Sequence, residues 1–248
     1  MNQSAMQKRP TGLAKILMFT ALFFGVVPLT LLGLFLFFGP FNLVVIDASL
    51  PVALAVDATL CMLFFIQHSG MIRRSFQAWL GRYVADYLHG AIFTVASGVS
   101  LLALLLFWQP TEPILFSAAG ILRLVLRSCF VAGIGGFVWG ARALGAFDAF
   151  GIRAIKQHLC GKPPKRQALA VRGPYKWVRH PLYSFVLLIL WCYPDLTPDR
   201  LLLNASWTVW VLLGTVLEER DLVSMFGDPY REYQKLVPML MPWRFPKR

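Results

Sequence analysis

Apolar positions in this chain come in long unbroken runs, without the alternation of a half-buried strand or the stripe of a surface helix. No charged residue occurs from Ile16 to Ile46, a stretch longer than the ~20 residues that cross a hydrocarbon core as a helix. The pattern predicts a first helix at about 16–38, and further helices at about 50–70, 88–109, within 114–141, 182–193 and 201–217. The fifth run is short. Twelve residues between Pro181 and Pro194 rise only about 18–20 Å, against a core of about 30 Å. Either this run is a half-membrane helix that turns back through Asp195-Leu-Thr-Pro198, or it begins deep inside a cavity lined by protein. In both cases Pro181 suits the first helical position, where its missing N–H removes a donor that would have no partner.

The expectation is an all-α integral membrane protein of about six transmembrane helices, with a short helical hairpin near the C-terminus. Residues 1–141 form an N-terminal transmembrane bundle. Residues 142–248 comprise a basic loop (142–180), the hairpin (182–217) and a tail (218–248). Lys8, Arg9 and Lys15 ahead of the first run imitate a signal peptide, but the run is too long for one and reads as an uncleaved anchor.

Composition agrees with the pattern: of 248 residues, 57% are hydrophobic and 15% charged, with a mean hydropathy of +0.61. Disorder, collagen-like repeats and disulfide-dense secreted scaffolds are excluded. Cys61, Cys129, Cys160 and Cys192 are widely spaced and read as small buried hydrophobes, so neither a disulfide framework nor a metal site is expected.

The net charge of +12 changes the picture only once it is placed. The segments 71–87 and 142–180 and the two termini are basic, whereas the intervening loops carry Asp47, Glu112, Asp195 and Asp199 against Arg200 alone. Lysine and arginine favour the cytoplasmic side, so both termini are expected there. The segment 142–180 holds nine basic residues and one acid, which suits anionic lipid or an anionic ligand better than nucleic acid. Arg123 and Arg127, one turn apart, either snorkel to the outer headgroups, pair with Asp57 or line a polar cavity. Gly136-Phe-Val-Trp-Gly140 reads as a helix-packing face.

Two segments carry candidate chemistry. In Arg172-Gly-Pro-Tyr-Lys-Trp-Val-Arg-His-Pro-Leu-Tyr183, Arg179 and His180 stand at a helix N-terminus, where free N–H groups and the helix dipole favour an anion. In Glu218-Glu219-Arg220-Asp221, followed by Phe226-Gly227 and Tyr230, paired carboxylates sit at the end of a membrane helix. The two glutamates diverge by about 100° around the helix.

Together, Arg179-His180-Pro181-Leu-Tyr183 and Glu218-Glu219-Arg-Asp-Leu222 with Phe226-Gly227 and Tyr230 resemble the C-terminal signature of integral-membrane methyltransferases, typified by isoprenylcysteine carboxyl methyltransferase. Gln67-His68-Ser69 with Arg73, Phe147-Asp148-Ala-Phe-Gly151-Ile-Arg153 and Glu218 through Val237-Pro238 resemble more narrowly the nurim family, with its methanethiol S-methyltransferases and NnrU-like relatives. The segment before Phe147 and the stretch Tyr193–Thr197 depart from that pattern. The resemblance implies S-adenosylmethionine as methyl donor, held by His180, Pro181, Tyr183, Tyr175, Arg172, Glu218 and Glu219. It implies His180, Arg179, Glu219 and His68 as catalytic candidates, with His68 or His180 taking a thiol proton. The acceptor it implies is a small apolar thiol such as methanethiol, giving dimethyl sulfide. A lipid or isoprenylcysteine-type carboxylate acceptor, and a non-catalytic nurim- or NnrU-like protein, remain alternatives. The bilayer is the expected partner, with no metal and no nucleic acid, and a bacterial inner membrane with the site facing the cytoplasm is the expected location.

Overall fold

The computed structural model describes residues 11–145, 148–163 and 169–243. Lys8, Arg9 and Phe147, singled out above, lie outside them, as do Lys165 and Arg166 of the basic segment 142–180. The described chain forms α1 (Thr11–Phe38), α2 (Leu50–Ile72), α3 (Arg74–Leu80), α4 (Asp86–Phe107), α5 (Gly120–Leu144), α6 (Ile152–Leu159), a 3-10 turn (Gly173–Lys176), α7 (Pro181–Trp191), α8 (Pro198–Phe226) and α9 (Asp228–Leu236). Two-residue strands β1 (Phe116–Ser117) and β2 (Asp195–Leu196) pair antiparallel, Phe116 opposite Leu196. The all-α expectation holds.

The number of spans is corrected from six to five. Among the described residues, α1, α2, α4, α5 and α8 are long and apolar enough to cross a membrane. α7 has 11 residues, about 16 Å of rise, and Trp191 at its end donates to Thr208, three turns into α8. The chain completes its climb as irregular backbone from Cys192 to Thr197, ending where β2 pairs with β1. α7 and this stretch together return the chain across the bundle, so α1 begins and α8 ends on the same side.

Irregular backbone inside a membrane bundle needs partners for its carbonyls. The Leu115 and Ala118 backbone N–H groups supply them to Leu196 and Pro194, and arginines serve the neighbouring helix ends. The buried Arg200 donates to the carbonyls of Leu190 near the end of α7 and Leu36 near the end of α1, and lies 4.4 Å above the Tyr193 ring. Arg127 donates to the Phe37 carbonyl and covers the Phe37 ring. Arg123 pairs with Asp195 at 2.5 Å. Asp57 pairs with neither arginine and instead accepts from the Gln109 backbone N–H.

Small residues bring the helices together. A Cβ on Gly98 of α4 would lie 2.1 Å from the Phe24 carbonyl oxygen of α1. Along α5, Gly133 faces Ile189, Gly136 faces Phe185 and Gly140 faces Leu182, all on α7. The glycine run is therefore a packing face. The main core gathers Phe35, Phe64, Leu104, Trp108, Phe130, Leu190 and Trp207 among others from these helices. The four cysteines are free; Cys61 and Cys192 are buried, but Cys160 is exposed just beyond α6, which corrects its reading as a buried hydrophobe.

Candidate functional site

α8 is 29 residues long, about 43 Å, and so outlasts a hydrocarbon core of about 30 Å. Glu218 and Glu219 lie on this overhang. Gly227, at φ 62°, ends the helix in a conformation that suits glycine, and the chain folds back as α9. Tyr230, Tyr233 and Gln234 share one face of α9, three and four residues apart.

Glu219 is the centre of the resulting cluster. Arg179 grips its carboxylate with two parallel hydrogen bonds, Nε to Oε1 and Nη2 to Oε2, each 2.9 Å. His180 Nε2 approaches Oε1 at 2.6 Å, the Tyr230 hydroxyl donates to Oε1 at 2.7 Å, and Gln234 Nε2 donates to Oε2 at 2.5 Å. Five donors saturate the two oxygens. Such a paired and fully hydrogen-bonded ion pair tolerates burial, whereas a lone charge there would not. Arg179 also donates to the carbonyls of Gln234 and Val237, while the Arg179 and His180 backbone N–H groups bond Pro238 and Met239. The C-terminal segment is thereby laced over the start of α7.

Glu218 is in different circumstances. Its side chain is 43% exposed, against 10% for Glu219, and its Oε2 lies 3.7 Å from His180 Nδ1. The His180 and Tyr183 rings stack at 5.6 Å with planes 10° apart. Tyr175 is buried beside them, and its carbonyl accepts the Tyr233 hydroxyl. Burial pushes the Tyr175, Tyr230 and Tyr233 phenols above their ordinary range, and for Tyr230 the bond to Glu219 adds to the effect. They remain neutral donors through the physiological range.

The structure thus brings together Tyr175, Arg179, His180, Pro181, Tyr183, Glu218 and Glu219. It places two expected residues elsewhere. Arg172 is exposed and donates to the Ala143 carbonyl at the end of α5. His68 sits on α2 between the rings of Phe64, Phe93 and Trp210, at 5.3, 4.8 and 5.2 Å. Its neighbours fix it there: Gln67 binds Ser97 and Ser100 of α4, and Ser69 accepts from Trp210 of α8. Sequence reasoning missed Gln234 and Tyr233. The available signal was the spacing of Tyr230, Tyr233 and Gln234 after Gly227, which puts all three on one helical face. Among the described residues no group of three or more His, Cys, Asp or Glu is arranged to hold a metal ion.

No protein-family model and no solved structure matches the chain. Methanethiol S-methyltransferase of Pseudomonas deceptionensis is 37% identical over 198 residues, covering 79% of this chain and 75% of its own. Methanethiol S-methyltransferase 1 of Bradyrhizobium diazoefficiens is 32% identical over 199 residues, 80% of this chain and 70% of its own. Rat nurim is 28% identical over 202 residues, 77% and 76% of the two chains. With such relatives matched over most of their length, and with five membrane-length helices, the chain belongs to the methanethiol S-methyltransferase family of integral membrane proteins.

Proposed function

We propose that the protein transfers a methyl group from S-adenosylmethionine to a small apolar thiol, methanethiol foremost, releasing dimethyl sulfide. The observation that carries this reading is the division of labour between two adjacent glutamates, one locked and one open, at the start of α7. S-adenosylmethionine, when bound, supplies an electrophilic methyl group on a sulfonium. The residues present fit such a molecule: it carries an ammonium and a sulfonium, which suit a half-exposed carboxylate and aromatic faces, and a carboxylate, which suits a helix N-terminus.

Glu218 would hold the cation, with Tyr183 and Tyr175 offering ring faces. His180 and the first N–H groups of α7 would hold the anion. Arg179 and Glu219 position His180 rather than touch the ligand, because both are consumed by their mutual pair and by α9. Water exclusion falls to the C-terminal segment that crosses the start of α7. The basic loops that flank this end of the bundle support a cytoplasmic site, in a bacterial inner membrane.

The test is to supply purified protein with methyl-labelled S-adenosylmethionine and a panel of thiols, lipids and prenylcysteine carboxylates. Labelled dimethyl sulfide in the headspace is the expected product. Labelling confined to lipid or carboxylate would replace the thiol reading, and no transfer to any acceptor would defeat it.

A further inference from the structure

Trp210, Gly214 and Glu218 are spaced by four residues on α8 and so form one stripe along it. The stripe runs about 12 Å from the open carboxylate to the rings around His68. Its middle member has no side chain, and a Cβ built on Gly214 would meet nothing within 4 Å. All three residues are partly exposed, between the buried row of Val211, Thr215 and Glu219 and the lipid-facing Leu213. This partly exposed stripe is charged at one end and aromatic at the other, with open space beside Gly214 between them.

At the aromatic end, His68 Nδ1 is buried and has no hydrogen-bond partner among the described residues. A buried polar atom without a partner costs free energy and calls for an explanation. Gln67 and Ser69 are both committed to neighbouring helices, so the imidazole is held in an apolar box with an available nitrogen. We propose that this box is the acceptor site and that His68 is the base that ionises the thiol, an inference that rests on the donor reading above. An uncharged thiol reaches the box from the bilayer. Its S–H proton passes to Nδ1, leaving a thiolate, the nucleophilic form, beside an imidazolium. The thiolate sulfur then bonds to the methyl carbon as the donor's sulfonium C–S bond breaks, and the positive charge lost by the sulfonium is the one now carried by His68. The aromatic faces suit a cation at either moment. Charged or bulky acceptors are disfavoured by the same walls.

The test compares ethanethiol with trifluoroethanethiol, which is similar in size and far more acidic, in wild type and in His68→Gln. Donor affinity is measured in parallel by calorimetry. The variant is expected to bind S-adenosylmethionine within about twofold of wild type. It should lose about 10²- to 10⁴-fold in ethanethiol turnover, the range for a lost general base, with much of the loss recovered at alkaline pH or with the fluorinated thiol. Equal losses on both thiols without alkaline recovery, no loss at all, or a tenfold fall in donor affinity would each overturn the assignment. Gly214→Phe, whose Cβ would meet nothing within 4 Å, should keep its melting temperature and lose at least tenfold in turnover by covering the stripe between Glu218 and the rings around His68; unchanged turnover would refute that path. Donor binding and turnover by the wild type report separately on the reading beneath, so the two failures are distinguishable.

Discussion

Adjacent residues on a helix point about 100° apart, and Glu218 and Glu219 use that angle to do different work. Glu219→Ala strands Arg179 and His180 in a buried site, and breaking such a pair costs about 3–5 kcal/mol. The expected outcome is a melting temperature lowered well beyond that of Glu218→Ala, measured in detergent. The tyrosines give a pH signature. Their folded phenols ionise only above the unfolded value of about 10, so their contribution to stability is complete below about pH 10 and declines as pH rises beyond it. A melting-temperature profile should show this alkaline decline, and Tyr230→Phe should reduce it. Of these residues, Arg179, His180 and the glutamate pair were legible in the sequence because ionisable side chains beside membrane runs are costly and therefore conspicuous. Which glutamate was open was not legible, because two of the five donors that saturate Glu219, Tyr230 and Gln234, arrive from α9, the latter fifteen residues on.

At the scale of elements, α7 is the piece that carries the site and the piece whose length departs from its neighbours. Its 11 residues place His180 beside Glu219 and leave its C-terminal carbonyls inside the bundle, where Arg200 donates to that of Leu190. The shortness was readable from Pro181 and Pro194. The role of Arg200 was not, since a single arginine in an outer loop looks like an ordinary headgroup contact until the loop is seen to descend between helices. The glycine face of α5 sets the seat of α7. A Cβ on Gly136 would come within 2.3 Å of the Phe185 ring, so Gly136→Ala should destabilise by about 1–3 kcal/mol, the usual cost of overpacking. Because α7 also presents His180 and Tyr183, the same substitution should weaken donor affinity, which a change confined to packing elsewhere would not.

For the whole molecule, hydropathy captured the all-α membrane class, while the six-span count failed on the segment that crosses partly as helix and partly as irregular chain, and the last long run, expected over 201–217, extends over Pro198–Phe226. That combined crossing still returns the chain to its starting side, and the proposed orientation, drawn from the charge asymmetry, puts that side in the cytoplasm. Cys160 offers a direct check: it is exposed next to α6, whereas Cys61 and Cys192 are buried. A membrane-impermeant maleimide should label it in inverted vesicles and not in intact cells, and the reverse pattern would invert the orientation.

The proposed site for a cationic methyl donor is the open end of the cluster, Glu218 with His180 and Tyr183, while Glu219 holds the fold. Equilibrium binding of S-adenosylmethionine to purified Glu218→Gln, beside its melting temperature, tests it most directly. At least a tenfold rise in Kd with an unchanged melting temperature is expected. Wild-type affinity in that variant would contradict it.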